Sequence, residues 1–453
     1  MDQASAAPEE PTRRRCFRAS DGTAHGSILD AGFRQGDSVS PDEAFFSSHF
    51  AYSAADTPQT PIRGVTFDAR PFDSSGRVER LETVDETWTR HLDRALEKNR
   101  GKAVAVALSG GLDSLLAASR LTRRRDELAD LRVVSWSLNA FPDADESSWI
   151  QRGAGALGIP VSLIDLSHLA PGGNIEALVD ADWPGISPFA AFYAELFKRC
   201  RDEGMDTLVS GAGGDDLMMG YRYRLFDALS NARWATARTH LRTAETSFVQ
   251  ELRTLVRTLL RQSPRRSTPA WLTAEAAAMV SSQPVEFEDA PRRDFMQILF
   301  GKTKQLDELG GERFAARFRM ERHDPFHDWS LRQLAFDTPA YQLMDERYGK
   351  TLWRRLLGAG VPEDLRMKPR TGLLHDVFRR GIFEAHRKIM LETLFHGGEE
   401  WPRYVRREVI EQTIQAPESQ RQSVQLLVWQ CACFEVWLGK IRALNAQKPA
   451  TSR

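Results

Sequence analysis

Two clusters of glycine, serine and aspartate in this chain have the composition of anion-binding loops. The first reads Ser109-Gly110-Gly111-Leu112-Asp113-Ser114. The second reads Ser210-Gly211-Ala212-Gly213-Gly214-Asp215-Asp216 and is closed by Gly220-Tyr221. Glycines let a backbone approach a polyphosphate, and free amides at a helix start donate to its oxygens. The hydroxyls of Ser109 and Ser114 add donors. An ordinary phosphate loop needs Gly-Lys-Ser/Thr, and no lysine stands in either cluster. Asp113 would repel phosphate unless a cation lay between them, so it reads as a magnesium ligand. One such loop alone also reads as a glycine turn capped by serine and aspartate. Two at one sheet edge are expected to hold one magnesium between Asp113 and Asp215, which would grip a departing polyphosphate.

Those loops need a frame that brings them together. Residues 103–108 (AVAVAL) are a short apolar run suited to a buried parallel strand, and a helical pattern over 113–125 follows the first loop. Further strands are expected at 131–138, 160–166 and 207–210, with helices at 84–98, 146–157 and 188–203. Strands alternating with helices predict an α/β fold, a parallel sheet with helices on both faces. Ligands of such sheets bind beyond the carboxyl ends of the strands, where both glycine clusters fall. After Tyr221 the pattern is helical, as at 248–261, 341–357 and 424–444. Residues 1–25 read as a disordered tail and 26–80 as a small accessory module with a strand in GVTFDARPF. Residues 81–445 read as the main body, with a large helical C-terminal part.

The pair SGGLDS and SGAGGDDLMMGY, with the downstream MERHDPFHD and LRMKPRTGL, resembles the asparagine synthetase family of ATP pyrophosphatases over roughly residues 75–445. The resemblance implies an ATP- and Mg2+-dependent ligase that adenylates a carboxylate, releases pyrophosphate and passes the acyl group to an amine. Carried onto this sequence, it places Leu108, Ser109, Gly110, Gly111, Asp113 and Ser114 at the nucleotide, with Ser210, Gly211 and Gly213 opposite. Asp113 and Asp215 match the metal ligands. Val134 and Ser135 match the segment that frames the adenine. Glu321, before Pro325-Phe326 and Asp328, matches the glutamate beside the reacting centre and is expected to assist the amine. The family lysine aligns with Arg370, and Lys368 stands two residues earlier; either cation suits the developing charge.

Departures from the family pattern narrow the expectation. Glutamine-using relatives carry a cysteine directly after the initiator methionine, where this sequence has Asp2, and Cys16 lies in an arginine-rich stretch. Glutamine hydrolysis is therefore not expected. Ala212 replaces the glutamate of the family's Ser-Gly-Glu-Gly. The reduced N-terminal module and the Ser-Gly-x-Gly-Gly-Asp loop are similar to the macrolactam synthetases of lasso peptide biosynthesis. That likeness implies a precursor (core) peptide as substrate, with a leader-peptide protease and a leader-recognition protein as partners. The alternatives are a β-lactam synthetase-like ring closure, an ammonia-dependent asparagine synthetase, and an ATP-binding scaffold without catalysis.

Bulk properties exclude other classes. Lysine plus arginine number 61 against 62 acids, so no excess of cations favours nucleic acid. Cys16, Cys200, Cys431 and Cys433 form no Cys-x-x-Cys pair, which argues against zinc. With no apolar signal core and no apolar run long enough for a membrane, a cytoplasmic location is expected.

Overall fold

The computed structural model describes residues 17–447 except 22, 26, 34–37, 52–59, 71–83, 170–174, 186, 244–246, 261–267, 283–291, 345–348, 369–373, 386, 396–398 and 418–419. The N-terminal portion is a small antiparallel sheet of β1 (Phe17–Arg18), β2 (Ala24–His25) and β3 (Thr66–Phe67), in the order β2-β1-β3. Its first strand falls inside the stretch expected to be a tail. Phe17 is buried at 1% exposure beneath the Arg313 guanidinium, 4.8 Å from its ring centre. That partner lies almost 300 residues away, so no local signal announces it.

The second sheet is the parallel one expected. It comprises β4 (Ala103–Val106), β5 (Asp130–Ser137), β6 (Val161–Asp165), β7 (Thr207–Val209) and β8 (Glu321–His323), in the order β6-β5-β4-β7-β8. All its neighbouring strands run parallel. β8 carries no signal in the sequence: Glu-Arg-His has no apolar alternation, and pairing with Thr207, Leu208 and Val209 alone makes it a strand. The order turns at β4, whose neighbours β5 and β7 lie on opposite sides, so the crevice for a ligand opens between β4 and β7.

The helices named below are α1 (Glu43–Phe50), α2 (Val84–Leu96), α3 (Leu112–Thr122), α4 (Ser147–Leu157), α5 (Ala190–Asp202) and α6 (Gly214–Met218). They continue with α7 (Arg224–Ser230), α8 (Trp234–Thr243), α9 (Phe248–Leu259), α10 (Lys302–Ala316), α11 (Thr351–Leu357) and α12 (Gln422–Gln447). One core joins α2, α3, α4 and α11 to one face of the parallel sheet. A second, containing α5 and Ala315 of α10, covers the other face. α12 is apolar nearly all round, the mark of a helix surrounded by protein. Phe46 and Phe50 of α1 pack on Tyr404, Phe434 and Trp437, so the expected accessory module shares one core with the C-terminal helices.

Candidate active site

β4 and β7 are adjacent, so the two glycine clusters leave the sheet side by side: Ser109–Ser114 runs into α3 and Ser210–Gly213 into α6. They touch. A Cβ at Gly211 would sit 2.6 Å from the Ser114 nitrogen, and one at Gly214 would sit 2.4 Å from Asp113 Cγ. Glycine at these positions is therefore a condition of the loops meeting. Within the first loop the Ser109 amide donates to Ser114 Oγ at 3.1 Å, and the Ser114 hydroxyl donates to the Gly111 carbonyl at 3.3 Å. Gly111 caps α3 with no side-chain bond to the first turn. The amides of that turn are left to an incoming anion.

A cation position lies between the loops. Lys350 Nζ stands 2.5 Å from Asp113 Oδ2 and 2.6 Å from Asp215 Oδ1. Trp353, fully buried in α11, donates its indole N–H to the other Asp113 oxygen at 2.7 Å. Burial raises the Asp113 pKa, and Asp215 adds to the rise while Lys350 opposes it. Burial also works against the charge on Lys350, but Asp113 and Asp215 outweigh it and hold its pKa above the ordinary lysine value. Two carboxylates converging on one ammonium fit a magnesium ion, which takes one or two carboxylates and fills its shell with water and phosphate. Among the described residues no cluster of three or more His, Cys, Asp or Glu offers an all-protein cage. Magnesium held there would neutralise and orient the nucleotide's phosphates.

Lys368 reaches the first loop from the far side. It is 6% exposed, donates to the Gly110 carbonyl at 3.0 Å, pairs with Glu146 and lies 4.9 Å from the Trp149 ring centre. Burial lowers its pKa, and Glu146 opposes that shift. Arg370 lies outside the described residues.

Three expected positions turn out otherwise. β8 runs parallel to β7, so Glu321 faces Thr207 at the start of the strands, whereas the loops leave their ends. Its carboxylate pairs with Lys102, just before β4, at 2.5 Å. It is thus placed at the sheet edge opposite the loops, away from any reacting centre there. Val134 is fully buried among Ala105, Leu196 and Phe197, leaving no surface for a base. The Ser135 hydroxyl, also buried, is donated to the Leu108 carbonyl at 2.5 Å and steadies the start of the first loop.

At the correct end of β8 stands Asp324. It accepts from the Ser210 hydroxyl at 2.5 Å and pairs with Arg322 at 2.7 Å. Ser210 Oγ in turn accepts from the Ala212 amide at 3.1 Å, which shapes the second loop. The His327 ring lies under Gly213, where a Cβ would meet Cδ2 at 2.3 Å. Burial, with Lys304, Arg332 and Arg322 nearby, pushes its pKa down to about 2, so this imidazole stays neutral. Sequence reasoning missed Lys350, Glu146 and Asp324 as site residues. None of these carried a local signal: Lys350 falls inside the continuous helical pattern expected at 341–357, whereas α11 begins only at Thr351.

The family model described as asparagine synthase matches residues 87–439, more than half of the chain. No curated protein sequence matches. Among solved structures, the U34-tRNA thiolase NcsA from Methanococcus maripaludis with its [4Fe-4S] cluster is 16% identical, covering 51% of this chain and 80% of that one. Its TM-score is 0.23, an overlap too small to bear on the function of this chain.

Proposed function

Because the chain belongs to the asparagine synthase family, we propose that it closes a macrolactam in a peptide, activating a side-chain carboxylate with ATP. ATP-dependent amide formation through an adenylated carboxylate is the chemistry of that family. The observation that carries it here is the convergence of Asp113 and Asp215 on one cation position beside the uncapped start of α3.

In this reading Ser109, Gly110, Gly111 and Ser114 cradle the phosphates, and Lys368, held against Gly110, stabilises charge developing at phosphorus. Ser210, Gly211 and Gly213 form the opposite wall. The acceptor is an Asp or Glu side chain of a precursor peptide, and the nucleophile is that peptide's own N-terminal amine. A leader-peptide protease frees the amine, and a leader-recognition protein delivers the chain. Supporting the peptide is the second loop, where Ala212 offers only a methyl group and Gly214 admits Asp113. An α-amine with a pKa near 8 needs little base help, and carrying both partners on one chain makes attack intramolecular. Asp324, which accepts from the Ser210 hydroxyl and pairs with Arg322, is a carboxylate at this edge that would orient the amine through Ser210.

The purified chain, given ATP, Mg2+ and a peptide with a free N-terminus and an internal Asp or Glu, is expected to release AMP and pyrophosphate. The product would be lighter by one water and resistant to aminopeptidase. Pyrophosphate release with ammonia and aspartate, or with a small amino acid but no peptide, would sink the macrolactam reading and leave the family chemistry standing.

A further inference from the structure

The helices after the second loop leave apolar side chains on their free faces. Inward, α9 sets Leu255 against Leu225, Ala228 and Ala237, with Thr258 6% exposed and Glu251 paired with the buried His240 of α8 at 3.0 Å. Outward it carries Phe248, Leu252, Val256 and Leu259, exposed by 60%, 45%, 43% and 61%. Their spacing puts them in one stripe along the helix. Ser247 and Gln250 close the start of α9 with a capping box, so the helix itself does not wait on a partner.

α8 buries Ala237 against the same cluster and also leaves apolar side chains outside. Trp234 is 68% and Leu241 38% exposed, and Arg238 and Arg242 are exposed on the same side at helical spacing. Arg253 is exposed on α9. None of these three arginines forms an ion pair with a described residue. A contiguous apolar stripe rimmed by charge marks an interaction surface. The charge also selects the occupant. A second copy of this chain would set arginine against arginine, whereas carboxylates flanking apolar anchors complement the surface.

We propose that the exposed face of α8 and α9 docks an acidic amphipathic polypeptide segment, with apolar side chains at helical spacing flanked by Asp or Glu. Both helices lean on α7, which follows the second glycine loop in the chain. The docking is independent of which carboxylate the enzyme activates.

The test is a fluorescence-anisotropy titration of the full-length protein with a labelled synthetic peptide of leucine and glutamate in helical register. Saturable binding is expected, weakened by salt and reduced at least about tenfold by the pair Leu252→Ser and Val256→Ser, or by Arg238→Glu and Arg242→Glu. The peptide with lysine in place of glutamate is expected not to bind. All four positions are exposed, so melting temperatures should stay at the unsubstituted value. The proposal is overturned by absent saturation or by equal binding of the lysine peptide or of the substituted proteins. It is also overturned by preferred binding to phosphatidylglycerol vesicles, or by a dimer in sedimentation that the serine pair dissolves.

Discussion

Two lysine–carboxylate pairs sit at opposite ends of the same parallel strands, each 2.5 Å long. Lys350–Asp113 lies at the carboxyl edge and Lys102–Glu321 at the amino edge. Their side chains differ in exposure: 20% and 15% at the first, 31% and 43% at the second. The first is pressed between two glycine loops and shared with Asp215; the second faces solvent across the start of the sheet. Both carboxylates belong to motif segments that stand out in the sequence. Strand direction and burial, which motif identity does not reveal, separate the one that can meet a nucleotide from the one that cannot.

The largest effect should come at the buried pair. Asp113→Asn keeps the shape but removes the charge, and pyrophosphate release is expected to fall by about 10²- to 10³-fold or more. Circular dichroism should be unchanged. Near-normal turnover at saturating Mg2+ would break the comparison at its centre. Asp215→Asn is expected to act in the same direction.

Lys350→Met sharpens the same side. Removing the ammonium leaves Asp113 buried without its cation, which is expected to cost about 3 kcal/mol in urea unfolding. Mg2+ should restore more stability to the variant than it adds to the unsubstituted protein, where it must first displace the ammonium. Equal stabilisation of both proteins by Mg2+ would mean that the metal binds elsewhere.

Gly214→Ala puts a methyl group against Asp113 Cγ and should cost about 1–3 kcal/mol as the loops are pushed apart. Gly360→Ala, with nothing within 4 Å of its Cβ, is the matching control. If the two variants melt alike, the loops are not in contact as described.

The smallest effect is expected at the other edge. Glu321→Gln breaks a pair open to solvent, worth at most about 1 kcal/mol, and should change turnover by no more than about twofold. A collapse of amide formation with pyrophosphate exchange intact would return Glu321 to the reacting centre and refute its placement.

The residue sequence by itself determined the four apolar strands, the helices between them and the two glycine clusters at the strand ends. These rest on local causes: continuous apolar runs make buried strands, and glycine with serine and aspartate makes an anion-binding turn. Asp113 and Asp215 were legible as a pair because a carboxylate in a phosphate loop demands a cation. Tertiary structure alone decided the rest. The three polar residues Glu321–His323 become a strand only against β7, and the direction of that strand carries Glu321 to the wrong edge and Asp324 to the right one. Lys350 and Trp353 come to Asp113 across more than 230 residues of chain. Contacts of that separation arise from the packing of α11 on α3, which no periodicity within either helix encodes.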